Sequence, residues 1–434
     1  MKCLIVSLWV LLSGGVWNLK ECIQYALDNN IDIKRSSMEV QQKEVELSTA
    51  KGRQLPAVSA SAGQNFSFGR SLTSYNVYDN TNVRSTSMSL GAQMPLFDGM
   101  SIYNGVKMGK LNLAAAVSDL ERAKDDMSVA VAQAYVQILY NKAMLAVARY
   151  QVEVDSVQLE FKTAKMQSGL ASRADVLSME STLAKSRLEM TRAENNLNLS
   201  LLDLSQLLEL SNPEGFDVAV PDSASLEPSV LPDPEAIYAD AVSRKAVVKS
   251  EEIRLDYAKV AISKAKGGYL PTLDLSGGIG SNYYNSSDHT LPQASFADQL
   301  RNNFSQYVGL SLNIPIFSRL TTRNSVRSAK LSFASQQLQL ENVKKSLYKE
   351  IQQAYYNAVA AQSEEMSSRK AAESANHSYE LVREKYENGK AGITEYNEAK
   401  NRYLEAEEQF LQARYQCLFD TALLDFYRGS EMIF

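Results

Sequence analysis

Few residues in this sequence have the type and spacing that chemistry requires. The chain has two histidines, His289 and His377, and three cysteines, Cys3, Cys22 and Cys417, with no CxxC pair. Histidine and cysteine are common zinc ligands, and histidine is the most frequent acid–base residue. The sequence therefore predicts no metal site, no cofactor and no enzyme activity. We expect Cys22 and Cys417 to be free thiols.

Two further patterns resemble catalytic or phosphate-binding sites only superficially. Adjacent carboxylates such as Glu251-Glu252 and Glu407-Glu408 diverge by about 100° around a helix, so they cannot share a substrate. The segment from Gly105 to Leu111 has too few residues between its glycines for a phosphate loop, and no Ser or Thr follows Lys110. We interpret these residues as solvated helix charges and an ordinary helix start.

The composition and the first residues indicate a large, exported protein. The chain has 434 residues, 45% of them hydrophobic, and its net charge of -5 argues against nucleic acid as a partner. Residues 1–15 combine Lys2, an apolar run and the small residues Ser13 and Gly15, which predicts a signal peptide cut after Gly15. The alternative is an ordinary buried N-terminal segment. Cys3 lies too early for a lipobox, and no other apolar run is long enough for a membrane-spanning helix.

The sequence contains an internal repeat, in which matching residues lie 215 to 220 positions apart. The repeated marks are a Leu-Pro pair, a Pro-aliphatic-Phe triplet and a glycine: Leu55-Pro56 and Leu270-Pro271, Pro95-Leu96-Phe97 and Pro315-Ile316-Phe317, and Gly169 and Gly389. This pattern predicts a tandem duplication of one supersecondary unit. We assign residues 16–210 to the first repeat and 234–434 to the second, joined by a linker at 211–233 in which prolines concentrate.

Each repeat contains a segment typical of a β-hairpin, at about 57–97 and about 272–317. Apolar and small polar residues alternate in these segments, as in Val308, Leu310, Leu312 and Ile314, and only Gln64 interrupts the apolar face of the first strand. Strands of about 10 residues with a small, uncharged polar face are typical of transmembrane strands. Four strands cannot close a barrel, and open edges are not tolerated in lipid. If these strands are in a membrane, several chains must share one barrel.

The rest of each repeat predicts long helices. From about Gly99 to Met166 there is no proline, and apolar residues recur at an average spacing of 3.5 residues, which predicts a coiled-coil-like seam. The seam includes Val117, Val131, Ile138 and Leu145, and its polar exceptions are Lys124, Asn141, Asp155 and Lys162. A helix over this segment is roughly 100 Å long. In the first repeat we expect one helix from Leu19 to about Arg53 before the hairpin and one from Ser172 to Leu210 after the long helix, and the second repeat agrees. Stacked end to end, the two shorter helices of a repeat could run beside its long helix.

In the order and spacing of these features, the sequence resembles the TolC-type outer-membrane efflux proteins over essentially all of the mature chain. The resemblance rests on the Leu-Pro and Pro-aliphatic-Phe marks and on the glycine turns at 167–170 and 388–392. It implies a mainly α fold with a β-barrel portion, in which a homotrimer forms a periplasmic α-barrel topped by a shared 12-stranded barrel in the outer membrane. It also implies a periplasmic adaptor and, through it, an inner-membrane pump of the RND or ABC type. Nucleic acid is not an expected partner.

The resemblance also assigns roles to residues at the helical turns. It implies that Glu395 and Glu398 form a pore constriction, with solvated helix charges as the alternative. The tip-turn positions are Gly169, Asp175, Gly389, Lys390 and Gly392. Where the family has a basic residue two positions after the second turn glycine, this chain has Ala391, so Lys390 and Arg173 become the candidates for a latch. Asp175 is their expected partner, although it could simply be a charge at a helix N-terminus.

Two other classes of protein explain less of the sequence. A coiled-coil stalk explains the helices but not four amphipathic strands. A stand-alone porin needs more strands than one chain supplies.

Overall fold

The computed structural model describes residues 16–72, 76–80, 82–211, 215–221, 231–287 and 294–432. The expected signal peptide, residues 1–15, and His289 lie outside the described residues. The described helices are α1 (Leu19–Asn29), α2 (Ile31–Gly52), α3 (Ser101–Gln167), α4 (Arg173–Leu207), α5 (Pro234–Arg244), α6 (Ala246–Gly267), α7 (Phe296–Asn302), α8 (Thr321–Glu387) and α9 (Ile393–Tyr427). The strands are β1 (Val16–Trp17), β2 (Ala57–Ser67), β3 (Arg70–Leu72), β4 (Tyr78–Asn80), β5 (Val83–Asp98), β6 (Asp217–Val218), β7 (Thr272–Ser286) and β8 (Ser305–Asn313).

The helices that follow the two hairpins repeat with an offset of 220 residues. Both long helices, α3 and α8, have 67 residues, and both returning helices, α4 and α9, have 35. The long helices end at Gln167 and Glu387, which are 220 positions apart. The predicted long helices are confirmed to within a few residues at each end.

The prediction of one helix from Leu19 to about Arg53 is wrong at Asn30. There the backbone is extended, with ψ 137°, and separates α1 from α2. The Asn30 side-chain oxygen accepts hydrogen bonds from the amides of Asp32 and Ile33 at 2.8 and 3.4 Å, while its amide group donates to the Leu207 carbonyl at 3.0 Å. The side chain thus replaces helical hydrogen bonds, as Asn does at helix starts.

The second repeat breaks at Lys245, which is 215 positions after Asn30. Its ψ of 129° separates α5 from α6. The Lys245 ammonium donates to Asp125 at 3.1 Å and lies 3.7 Å from the centre of the Phe426 ring. Both breaks therefore rest on a side chain that reaches another helix.

One compact unit comprises Met1–Glu39, Val117–Ser250 and Glu341–Phe434. Its main core packs α1, α3, α4 and the end of α9 around fully or nearly fully buried side chains, among them Cys22, Ala26, Ile138, Leu204 and Tyr415. The short strands β1 and β6 pair in parallel beside this core. The Tyr135 hydroxyl donates to the carbonyls of Trp17 and Ala219, at 3.2 and 2.6 Å, and so ties both strands to α3.

The other unit comprises Val40–Ala116 and Glu251–Leu340 and contains a four-stranded antiparallel sheet in the order β2-β5-β7-β8. The register places apolar residues in rows across one face, for example Met94, Leu275 and Leu310. Gln64, the polar interruption of this face, pairs with Thr86 on β5, whose hydroxyl donates to it at 2.7 Å. The alternating strands predicted from the sequence are therefore present, and they share one sheet.

A left-handed backbone turn leads from the strands into each long helix. Gly99 and Met100 have φ of 65° and 66°, and Arg319 and Leu320 have φ of 49° and 65°. Gly99 also crosses Gly267 so closely that a Cβ on either residue would collide with the carbonyl of the other. Glycine is required at this crossing, whereas Arg319 adopts a conformation that costs a non-glycine residue free energy.

Candidate functional site at the helical turns

The turn between α3 and α4 is closed by local hydrogen bonds. Gly169 has φ of 77°, and the Leu170 amide donates to the Lys165 carbonyl at 2.8 Å, which is the Schellman arrangement. Ser172 then caps α4 in a capping box with Asp175. The side chain of Leu170 is 77% exposed at this turn.

The turn between α8 and α9 has the same backbone geometry. Gly389 has φ of 72°, and the Lys390 amide donates to the Lys385 carbonyl at 2.7 Å. Gly392 occupies the N-cap position of α9 without a side-chain cap. The two turns are therefore copies of one motif, of which only the first has a polar cap.

Asp175 does not pair with Lys390 or Arg173 in the described part of the chain. Its carboxylate accepts from the Ser172 amide and hydroxyl, at 3.1 and 2.8 Å. These hydrogen bonds favour the charged form and lower the pKa of Asp175. The expected latch partner is thus bound within its own turn.

Glu395 and Glu398, hereafter the mouth glutamates, lie in the first two turns of α9. Both are exposed. Glu398 lies on the side of α9 opposite the buried Tyr396 and Lys400, whereas Glu395 lies at the edge of the buried face, about 40° from Ala399. Glu398 forms an ion pair with Arg402 at 3.3 Å, and both side chains are mostly exposed.

The ends of α3 and α8 contact each other beside the turns. The Lys162 ammonium lies 3.9 Å from the centre of the Tyr386 ring. Lys165 donates to the Glu387 carbonyl at 2.9 Å, and the Gln158 amide donates to the Glu387 carboxylate at 2.6 Å. Desolvation, aided by the neighbouring Lys165 charge, lowers the pKa of Lys162. Lys162, a polar exception in the predicted seam, thus contacts an aromatic ring.

Four tyrosines, hereafter the tyrosine cluster, pack between α8 and α9. They are Tyr379, Tyr386, Tyr396 and Tyr403, with ring centres 4.9 to 5.8 Å apart. The hydroxyls of Tyr379 and Tyr396 are 3.2 Å apart. Burial raises the pKa of every member. Sequence reasoning missed this cluster, although a comparison of the two repeats offers a signal: at an offset of 220, the first repeat has Leu159, Met166, Val176 and Leu183.

Asp155, Ser186 and Lys400, hereafter the buried triad, join α3, α4 and α9. The Lys400 ammonium donates to the Asp155 carboxylate and, at 3.1 Å, to the Ser186 hydroxyl, which itself donates to Asp155 at 2.5 Å. Gln151 donates to the other carboxylate oxygen at 3.1 Å. Desolvation lowers the pKa of Lys400, and the Asp155 charge opposes that shift. The sequence marked only Asp155, as a polar residue in an apolar seam.

The remaining seam positions are partly as predicted. Val131, Ile138 and Leu145 are buried, whereas Val117 is exposed. Asn141, another polar exception, is buried and donates to the Asn196 carbonyl at 3.2 Å. Asn141, Asp155 and Lys162 therefore contact neighbouring helices. Lys124 instead pairs with Glu121 on its own helix.

Three further observations concern metal ligands, thiols and membrane-spanning helices in the described residues. Within those residues, no group of His, Cys, Asp and Glu is suited to a metal ion. Cys22 and Cys417 are buried, free thiols. None of the helices in the same ranges is long and apolar enough to cross a membrane.

Comparison with known proteins gives consistent matches over nearly the whole chain. Residues 22–209 and 237–430 match the sequence profile described as outer membrane efflux protein. The outer membrane protein TolC of Salmonella enteritidis is 24% identical over 417 residues, covering 95% of this chain and 82% of that protein. Protein CyaE of Bordetella pertussis is 25% identical over 391 residues, covering 89% of this chain and 78% of that protein.

Solved structures share the fold. A crystal structure of CusC superimposes with a TM-score of 0.80 at 16% identity, covering 95% of this chain and 92% of that one. The Campylobacter jejuni CmeC outer membrane channel superimposes with a TM-score of 0.77 at 17% identity, covering 95% and 86%. At such low identity these likenesses establish the fold.

Proposed function

The chain belongs to the outer membrane efflux protein family, and we propose that it is the outer-membrane channel of a tripartite efflux or secretion system. In this role it receives substrates from a periplasmic adaptor and an inner-membrane transporter of the RND or ABC type and passes them to the exterior. The observation that carries the proposal is a four-stranded sheet with an exposed apolar face and two open edges.

The sheet supports a homotrimer in the outer membrane. Its apolar face includes Val308, Leu310 and Leu312, whose side chains are 82%, 67% and 61% exposed, and we assign this face to lipid. The outer edges of β2 and β8 have no strand partner within the described chain. Because unpaired backbone groups are not tolerated in lipid, these edges must pair with other chains. Three copies supply 12 strands, which leave a lumen.

The long helices then form the periplasmic tube. Repeats at 16–210 and 234–434, joined by the linker 211–233, contribute equivalent sets of helices to it. Residues 1–15 act as the export signal. The paired turns, with Gly169, Asp175, Gly389, Lys390 and Gly392, meet the adaptor.

The mouth glutamates form the constriction. Both are exposed, and both lie about 140° or more around α9 from the buried Lys400. In a trimer they supply six carboxylates around one axis, which attract cations and repel anions. This assignment is supported by the position of the pair immediately after the second turn.

The two other classes of protein fit less well. A coiled-coil stalk does not account for a four-stranded sheet with an exposed apolar face. A stand-alone porin requires a closed barrel from one chain, and the described sheet has four strands.

Fractionation tests the proposed location and assembly. We expect the protein in the outer membrane, migrating on gels as a trimer that dissociates on heating. A soluble monomeric rod would favour the stalk instead.

Conductance in planar bilayers tests the mouth. Replacing both mouth glutamates with Gln should reduce cation selectivity and weaken block by multivalent cations, without loss of folding, because neither side chain is buried. Glu180→Gln with Glu189→Gln is the matched control, since it removes two exposed charges from α4. If the mouth variant and the control both conduct like the parent, the constriction lies elsewhere.

A further inference from the structure

The buried triad is the most enclosed charged group beside the turns. The side chains of Asp155 and Lys400 are 0% and 5% exposed. Each comes from a different helix, α3 or α9, and Ser186 from α4 bridges them. A carboxylate and an ammonium in such a place are far from water, so each depends on the other for its solvation.

Buried ion pairs add little stability compared with apolar residues of similar size, so stability alone does not explain the triad. What a buried pair can supply is a single arrangement, because any shift of one helix leaves a charge unpaired. A polar residue in an apolar helix seam fixes helix register in this way. The triad thus has the chemistry to fix where α9 sits on α3 and α4.

A contact that fixes helix register matters in this chain because the sequence is duplicated. The two repeats place helices of equal length at an offset of 220, so their seams compete for similar partners. At that offset the triad positions correspond to Ala375, Ala406 and Glu180, which cannot form the same network. The triad therefore belongs to only one of the two possible arrangements and distinguishes α9 from α4.

The position of Lys400 on α9 also determines in which direction the mouth glutamates point. Lys400 lies two residues after Glu398 and five after Glu395, so the helical angles between them are about 200° and 140°. When Lys400 points into the contact with α3 and α4, both mouth glutamates must point away from it. Their exposure agrees with this geometry.

We propose that Lys400, held by Asp155 and Ser186, is a positioning residue that sets the register of α9 and thereby the direction of the mouth glutamates. The proposal rests on the proposed function, in which those glutamates line the constriction. It adds that their orientation is fixed by a contact on the opposite side of α9, which touches neither the channel axis nor the transported substrate.

A double variant separates positioning from stability. Asp155→Leu with Lys400→Met removes both charges together, so net charge and packing volume change little and no charge is left unpaired. We expect trimers of parental or higher thermal stability, with weaker cation selectivity and about a tenfold shift in the concentration of multivalent cation that blocks the channel. Lys400→Arg, which keeps the positive charge, should remain close to the parent.

The matched control is Lys370→Met on α8, which breaks the exposed ion pair with Glu373. It should leave selectivity and block unchanged. A double variant that folds, conducts and is blocked like the parent overturns the proposal. A double variant that no longer assembles also overturns it, because the pair would then serve assembly rather than orientation.

Measurements on the parental channel distinguish failure of this proposal from failure of the proposed function on which it rests. If the parent forms no cation-selective channel, or if the Gln variants of the mouth glutamates conduct like the parent, the proposed mouth fails whatever the triad does. Parental selectivity that depends on the mouth glutamates but not on the triad rejects only the positioning role.

Discussion

Replacing Leu310 with Arg tests which face of the sheet meets lipid. Leu310 on β8 lies opposite Leu275 on β7, which in turn lies opposite Met94 on β5, so the three side chains share one row of the apolar face. Its own side chain is 67% exposed, as expected for a residue that contacts lipid rather than a protein core. Among the alternating apolar residues of β8, it lies between Val308 and Leu312.

That position sets the expected magnitude. Leu310 is five residues from the start of β8, or roughly 17 Å along the strand. In an apolar band about 25 Å tall this is close to the midplane once strand tilt is included. Arg at the midplane costs about 2 to 4 kcal/mol, which corresponds to roughly a 30-fold to 1,000-fold loss in the folding equilibrium.

The assay is reversible folding into lipid vesicles, followed by urea titration and by the heat-sensitive trimer band. Ser311→Arg is the matched control, because it places the same charge one residue further along the strand and on the opposite face. We expect that control to lose much less stability. Equal losses at both positions would falsify the assignment of the Leu310 face to lipid.

Three further predictions concern the turns and the core. Gly99→Ala should cost about 2 to 4 kcal/mol in thermal unfolding, because the new Cβ collides with a backbone carbonyl, whereas Gly105→Ala, where a Cβ meets nothing, should not destabilise. Ser172→Ala should cost about 1 kcal/mol by removing the N-cap, and Gly392→Ser should add a few tenths of a kcal/mol by supplying one; calorimetry showing no loss for the first contradicts the capping role. Burial raises the pKa of Cys22 from 9.0 to about 12, so the stability that its protonated thiol contributes is complete below pH 9 and is lost as the pH rises through 12. Over this pH range the thermal midpoint of Cys22→Ala should therefore fall less steeply than that of the parent. Identical slopes would contradict the effect of Cys22.

The strands and turns were predictable from the sequence because their causes are local. Alternation with period 2 identifies a strand with two different faces, whatever it pairs with. Glycine at the end of a long helical pattern predicts a left-handed C-terminal turn, and Gly169 and Gly389 adopt it. The duplication strengthened each prediction, because the same signal appears twice.

The breaks at Asn30 and Lys245 were missed from the sequence, because each depends in part on a tertiary contact. No proline or glycine marks either position, and both residues are tolerated in helices. The Asn30 side-chain oxygen caps α2 locally, but its amide group binds the distant Leu207 carbonyl, and the Lys245 ammonium binds the distant Asp125 carboxylate. A local window contains neither partner.

The candidate site divides in the same way. The sequence located the glycine turns from the position of one helical pattern. The role of the mouth glutamates follows from the resemblance and stays a prediction. The sequence also marked Asp155 as out of place in an apolar seam, which predicts a buried partner but does not identify one. Only the tertiary structure brings Lys400, 245 residues later, to Asp155, because the energy of burying a charge depends on what the other helices place beside it.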